Sequence, residues 1–124
     1  KILMMHQSKQ NLIYQMMTSR SKKAIKDKKY MQWVVENRPC FVCRKLHGFD
    51  NFHQIQFHHL QGKYRLGAMM RDDSVGLPIC YPHHHELTFK TGERKFWELI
   101  GIDPKEFADN LYKYYRSNIC HKIK

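Results

Sequence analysis

The chain has 124 residues, 42% of them hydrophobic, which suits one core and one domain and leaves little room for a second. Lys and Arg number 22 against 11 Asp and Glu, a net charge of +11 that gathers polyanions and makes nucleic acid the default partner; a face that only keeps the protein dissolved is the alternative. No run of about 18 apolar residues and no leader layout occurs, and Cys40, Cys43, Cys80 and Cys120 are too few and too irregular for a secreted disulfide framework, so a soluble, cytoplasmic protein with no membrane role is expected.

Residues 1–29 are expected to form a basic arm. Leu12, Ile13, Met16 and Met17 recur at helical spacing, so part of the arm reads as an amphipathic helix, and Arg20, Lys22, Lys23 and Lys26 follow in a cationic run. Over residues 1 to 30, 8 Lys and Arg against Asp27 alone leave +7, most of the net charge. This run fits either contacts with a phosphate backbone or a solvated linker.

Residues 30–124 are expected to be the domain proper. Tyr30, Trp33, Val34 and Val35 continue a helical pattern that stops before Pro39, which disfavours helical backbone in the residue ahead of it. From Cys40 to Tyr81, short apolar runs broken by Gly48, Gly62, Gly67, Gly76 and Pro78 predict strands and turns in a β-hairpin, without helices. Helical pattern resumes from His83 to Phe89 and again from Glu93 to Ile100, where Phe96, Trp97 and Ile100 share a stripe and Gly101 closes the helix. Asp103, Pro104 and Glu106 supply the N-cap, first-turn proline and acid of a last helix through Phe107, Leu111 and Tyr114. Those aromatic and aliphatic residues are expected in the core, not as a platform for stacked bases, and Ser117 to Lys124 as a frayed basic tail.

Cys40-x2-Cys43 and Cys80-x2-His83 are separated by 36 residues. Each pair presents two donors from one tight turn, and two such knuckles meeting in space make the tetrahedral Cys3His shell of a structural Zn²⁺. Alone, the first pair would fit a redox dithiol as well; the second knuckle favours metal. His58, His59, His84 and His85 remain unexplained by that site. Neighbours on a strand face opposite ways, so His58 and His59 are expected to play different parts.

His58-His59, then Asp72 or Asp73, then Leu77-Pro78-Ile79-Cys80-x2-His83-His84 together resemble the signature of the HNH, or ββα-metal, nucleases, most of all phage and prophage members with a zinc knuckle such as the Ref-like enzymes. The resemblance covers about residues 39 to 101. It implies an α+β fold in which a small zinc-stapled ββα core is flanked by N- and C-terminal helices. It also implies a metal-dependent endonuclease that hydrolyses DNA phosphodiesters, with RNA left open as substrate. In that pattern His59 is the general base, His58 and His84 hold one catalytic divalent metal (Mg²⁺, Mn²⁺ or Zn²⁺), and Asp72 or Asp73 orients the loop and the base. Thr88 stands where close relatives often carry a further histidine; His85 or water could fill that position, and water is expected because His85 points about 100° away from His84 on a helix. A recombination protein and a second copy of the chain are the implied protein partners.

A base with a pKa near neutrality suits attack by water on a phosphodiester, and imidazole supplies one without a large shift. Lys63, Arg65, Arg71 and Lys90, with Arg94 and Lys95, fit contacts with phosphates and equally fit solvated surface charge, as do Arg20, Lys22, Lys23 and Lys26 of the arm. The competing reading is a zinc-stapled nucleic-acid-binding module descended from such a nuclease, with Thr88 marking a lost ligand.

Overall fold

In the computed structural model, which describes residues 24–61 and 71–120, the first described helix begins after Asp27. Helix α1 (Lys28–Asn37) is capped by Asp27, whose carboxylate accepts the Tyr30 amide at 3.1 Å, and it ends at Arg38, extended as the residue before a proline must be. Its buried face is Tyr30 and Val34, one turn apart. The division drawn between residues 29 and 30 therefore falls inside a helix. Residues 25–27 are also tied to the fold: Asp73 N–H donates to Ile25 C=O at 2.8 Å, and Lys26 Nζ donates to Arg71 C=O at 2.7 Å. The rest of the arm, with Leu12, Ile13, Met16, Met17, Arg20, Lys22 and Lys23, lies outside the described residues, as do Lys63, Arg65 and the last four residues.

The stretch after Cys40, expected to hold only strands and turns, opens with a helix. In α2 (Phe41–His47) the Cys40 sulfur accepts the Cys43 amide at 3.4 Å, acting as the cap, and Gly48 ends the helix with φ +72°. Sulfur is an unusual cap, so the start signal was not visible among oxygen-bearing caps.

Strands β1 (Ile55–His59) and β2 (Gly76–Cys80) then form a two-stranded antiparallel sheet in which Ile55 faces Cys80, Phe57 faces Pro78 and His59 faces Gly76. Gly76 is there for space. A Cβ at that position would overlap the Phe57 ring and approach the His58 carbonyl oxygen within 2.8 Å. Gly76→Ala is expected to cost about 1–3 kcal/mol, read as a lower thermal midpoint, and to displace the end of β1 that carries both histidines. An unchanged midpoint would mean that Phe57 swings aside freely.

Helix α3 (Tyr81–His85) follows β2 directly, with Pro82 in its first turn, and continues as a wider π-helical turn over Glu86–Thr91. Gly92, at φ +90°, breaks it and begins α4 (Glu93–Ile100), which Gly101 closes at φ +69°. Asp103 caps α5 (Pro104–Tyr114) by accepting the Lys105 amide at 3.0 Å, and this helix too runs on as a π turn, Tyr115–Ile119, where a frayed tail was expected.

Two cores hold the elements together. Val42, Leu77, Ile79, Leu87, Phe96, Trp97 and Ala108 join the sheet to α2 and to the helices after it, while Tyr30, Val34, Leu111 and Tyr115 pack α1 against α5 beneath Phe57. Tyr114, expected in the core, is exposed; Tyr115, a full turn beyond Leu111, takes the buried position.

Candidate functional site

The two knuckles meet. Cys40 and Cys43 come from the start of α2, and Cys80 and His83 from the junction of β2 with α3; all four donor atoms lie within 4.8 Å of one another. Cys43 Sγ stands 3.8 Å from Cys80 Sγ, and His83 Nδ1 lies 3.5 Å from Cys43 Sγ, 3.3 Å from Cys80 Sγ and 3.9 Å from Cys40 Sγ. A tetrahedral zinc with bonds of about 2.3 Å to sulfur and about 2.0 Å to nitrogen would set neighbouring donors roughly 3.5 to 3.8 Å apart. The cluster could hold a zinc ion. Asn51 supports it, donating its side-chain amide to Cys43 Sγ at 3.6 Å. Burial pushes the Cys80 thiol up to about 12 and raises Cys43 as well, so the protein alone would keep these sulfurs protonated; a divalent cation supplies the charge that reverses this. Cys120 stands apart, half-buried, beside Arg116.

One residue past the knuckle, the chain enters a cleft of about 550 Å³. His58, His59 and His84 line it together with Gln56, Arg71, Thr88 and Glu93. His58 is nearly fully buried. Its Nε2 faces both carboxylate oxygens of Glu93 at 3.0 Å, and its Nδ1 faces His84 Nε2 at 3.1 Å. Trp97 Nε1 donates to the same Glu93 carboxylate at 2.9 Å, and His84 Nδ1 meets Gln56 Oε1 at 2.6 Å. Burial lowers the pKa of His84, the neighbouring His58 lowers it further, and Glu93 opposes both.

His59 leads elsewhere. Its Nε2 lies 2.9 Å from Asp73 Oδ1, and the other oxygen of Asp73 accepts the Asp27 backbone amide at 2.7 Å. Asp27 is held in turn by the Tyr112 hydroxyl, which donates at 3.1 Å. Asp72 does something different: its Oδ1 accepts both the amide and the hydroxyl of Ser74, at 2.9 and 2.6 Å, and shapes the turn into β2. Of the two acids that the sequence leaves as alternatives, Asp73 is the one paired with His59.

Arg71 lines the cleft and Lys26 clasps its carbonyl, while Lys90 is exposed on the π turn. Thr88 is exposed on the cleft wall, and the His85 ring packs at a tilt between Tyr81 and Phe89. Glu93 is the site residue that the sequence reading missed. It reads as a first-turn acid of α4, yet it shares the stripe of Phe96 and Trp97, and an acid on an apolar stripe is the signal that could have found it.

In comparisons with protein-family models, curated proteins and solved structures the chain finds no match. Among the described residues no helix is long and apolar enough to cross a membrane.

Proposed function

We propose that the chain is a metal-dependent endonuclease of the HNH kind, hydrolysing DNA phosphodiester bonds in the cleft beside the zinc cluster. The observation that carries this reading is the pair of imidazole nitrogens, His58 Nδ1 and His84 Nε2, facing each other at 3.1 Å. Glu93 and Gln56 accept at the outer nitrogens, so each ring donates outward. With the inner nitrogens unprotonated, the rings turn lone pairs toward each other, an arrangement that a cation between them would satisfy. His58 and His84 would hold a divalent metal there, where it would neutralise charge building on phosphate and leaving oxygen. A nitrogen pair favours Mn²⁺ or Zn²⁺ over Mg²⁺ on intrinsic grounds.

The remaining chemistry belongs to the protein. Asp73 accepts the Nε2–H of His59, which leaves Nδ1 as the basic nitrogen that takes a proton from the attacking water, and the same carboxylate stabilises the imidazolium that results. Arg71 supplies a fixed positive charge for a flanking phosphate. The order β1, β2, α3, with the histidine pair at the end of β1 and His84 on the helix, also supports the reading.

Cleavage of supercoiled and single-stranded circular DNA by the zinc-loaded protein, with Mg²⁺, Mn²⁺ or no added divalent ion, tests it: metal-dependent cutting is expected. Binding without cutting in every metal would favour the second reading, a non-catalytic nucleic-acid-binding module. Thr88 on the cleft wall, where a third nitrogen ligand could have stood, is what speaks for that reading.

The two acids separate cleanly. Asp73→Asn is expected to slow cleavage by about 10- to 100-fold by releasing His59, whereas Asp72→Asn should lower the thermal midpoint and leave turnover near normal. Equal turnover of both variants would remove Asp73 from the mechanism. Glu93→Gln is expected to weaken Mn²⁺ binding by about 10- to 100-fold in calorimetric titration, because it frees the His58 ring.

A further inference from the structure

Helix α3 and its π continuation have two unlike faces. Leu87 is 1% exposed and sits in the core, while Tyr81 and Phe89 are 49% and 75% exposed. Tyr81, His85 and Phe89 recur every four residues and touch in series, with ring centroids 5.8 Å and then 5.0 Å apart and planes tilted by 44° and 45°. All three line the cleft that holds His58, His59 and His84. Single exposed apolar residues are ordinary on protein surfaces, but three rings in contact along one wall of a cleft form a continuous π surface.

We propose that Tyr81, His85 and Phe89 form a stacking strip for unpaired nucleobases, so that the cleft takes a single strand in preference to a duplex. This deepens the nuclease reading and rests on it. A paired base hides its faces in the stack, whereas an unpaired one offers a flat π surface that any aromatic ring can meet, whatever the base. The strip lies inside the cleft, where a flat base could reach it, and not on an open face. Charge complements it, since Arg71 lines the same cleft and the chain carries +11 overall. An unpaired strand would lay its phosphates toward the cations and its bases on the rings.

The test is equilibrium binding of fluorescent oligonucleotides to zinc-loaded His59→Ala protein: a single DNA strand, the same strand as RNA, an abasic strand of equal length and charge, and a duplex. The native single strands are expected to bind about tenfold more tightly than the abasic strand. Phe89→Leu should erase that difference, Phe89→Trp should keep it, and Leu99→Ala, which removes an equally exposed side chain from α4 away from the cleft, should change nothing. Abasic and base-bearing strands binding alike, with duplex no weaker, would overturn the strip while leaving the nuclease reading standing. Phe89→Leu dissociating a dimer, with no loss of base dependence, would reassign the strip to a contact between copies. Failure to bind any nucleic acid would overturn both the strip and the nuclease reading.

Discussion

His59→Ala is expected to lower metal-dependent DNA cleavage by about a thousandfold while leaving the fold, the bound zinc and the affinity for DNA in place. General-base catalysis contributes about 10²- to 10⁴-fold, and His59 is the ring in the cleft whose partner is a carboxylate held by backbone. The substitution removes a half-buried side chain at the end of β1 and leaves untouched both the zinc donors and the His58 and His84 pair. Nicking assays at saturating DNA, paired with zinc analysis and circular dichroism of the same preparation, separate the outcomes. Cutting at the wild-type rate would dismiss His59 as the base. Loss of cutting together with loss of zinc or of helix signal would show only that the variant misfolds.

The second large effect concerns the cluster of Cys40, Cys43, Cys80 and His83. Purified protein is expected to carry one zinc per chain, and Cys80→Ser or a strong chelator to unfold it. Zinc in such a site contributes on the order of 10–16 kcal/mol, as much as or more than the roughly 5–15 kcal/mol by which a domain of this size is stable. Cys80 is placed to make the loss global, since it ends β2, faces Ile55 across the sheet and precedes α3. Acid works in the same direction. Burial holds His83 and His84 below the ordinary imidazole value, so below about pH 6.5 the unfolded chain binds more protons than the folded one. Their contribution to stability is complete above that pH and is lost as pH falls through it toward their folded values. Thermal midpoints at fixed zinc should rise with pH through neutrality, because zinc holds as thiolates the cysteines that are protonated thiols in the unfolded chain, and should decline further below about pH 6.5. A folded, zinc-free protein with an unchanged midpoint would make the cluster incidental.

What the sequence discloses here is what is local. Each knuckle is a three-residue spacing, α1 stops because of Pro39, and α5 starts from Asp103 and Pro104; all of these can be read from neighbours. The contacts that build the cleft are remote. Glu93 reaches His58 across 35 positions, and nothing beside Glu93 in the chain points to a histidine. Asp72 and Asp73 are adjacent and chemically alike, and only their partners, His59 and the Asp27 amide for one and Ser74 for the other, tell them apart. Cys40 hid a helix start behind its role as a metal donor, because one sulfur serves both the donor set and the Cys43 amide.

The thread that ends at His59 joins Tyr112 to Asp27 across 85 positions and Asp27 to Asp73 across 46. A ribosome delivers the chain from its front end, so a nascent chain that has emerged as far as α3 already contains every histidine of the cleft and both knuckles. It still lacks α5, and with it the hydroxyl that closes on Asp27. The brace on Asp27, whose backbone amide holds Asp73, thus comes from a helix that follows both in the chain. Order of synthesis places the Cys3His donors and the cleft histidines in the chain before the Tyr112 hydroxyl that braces Asp27.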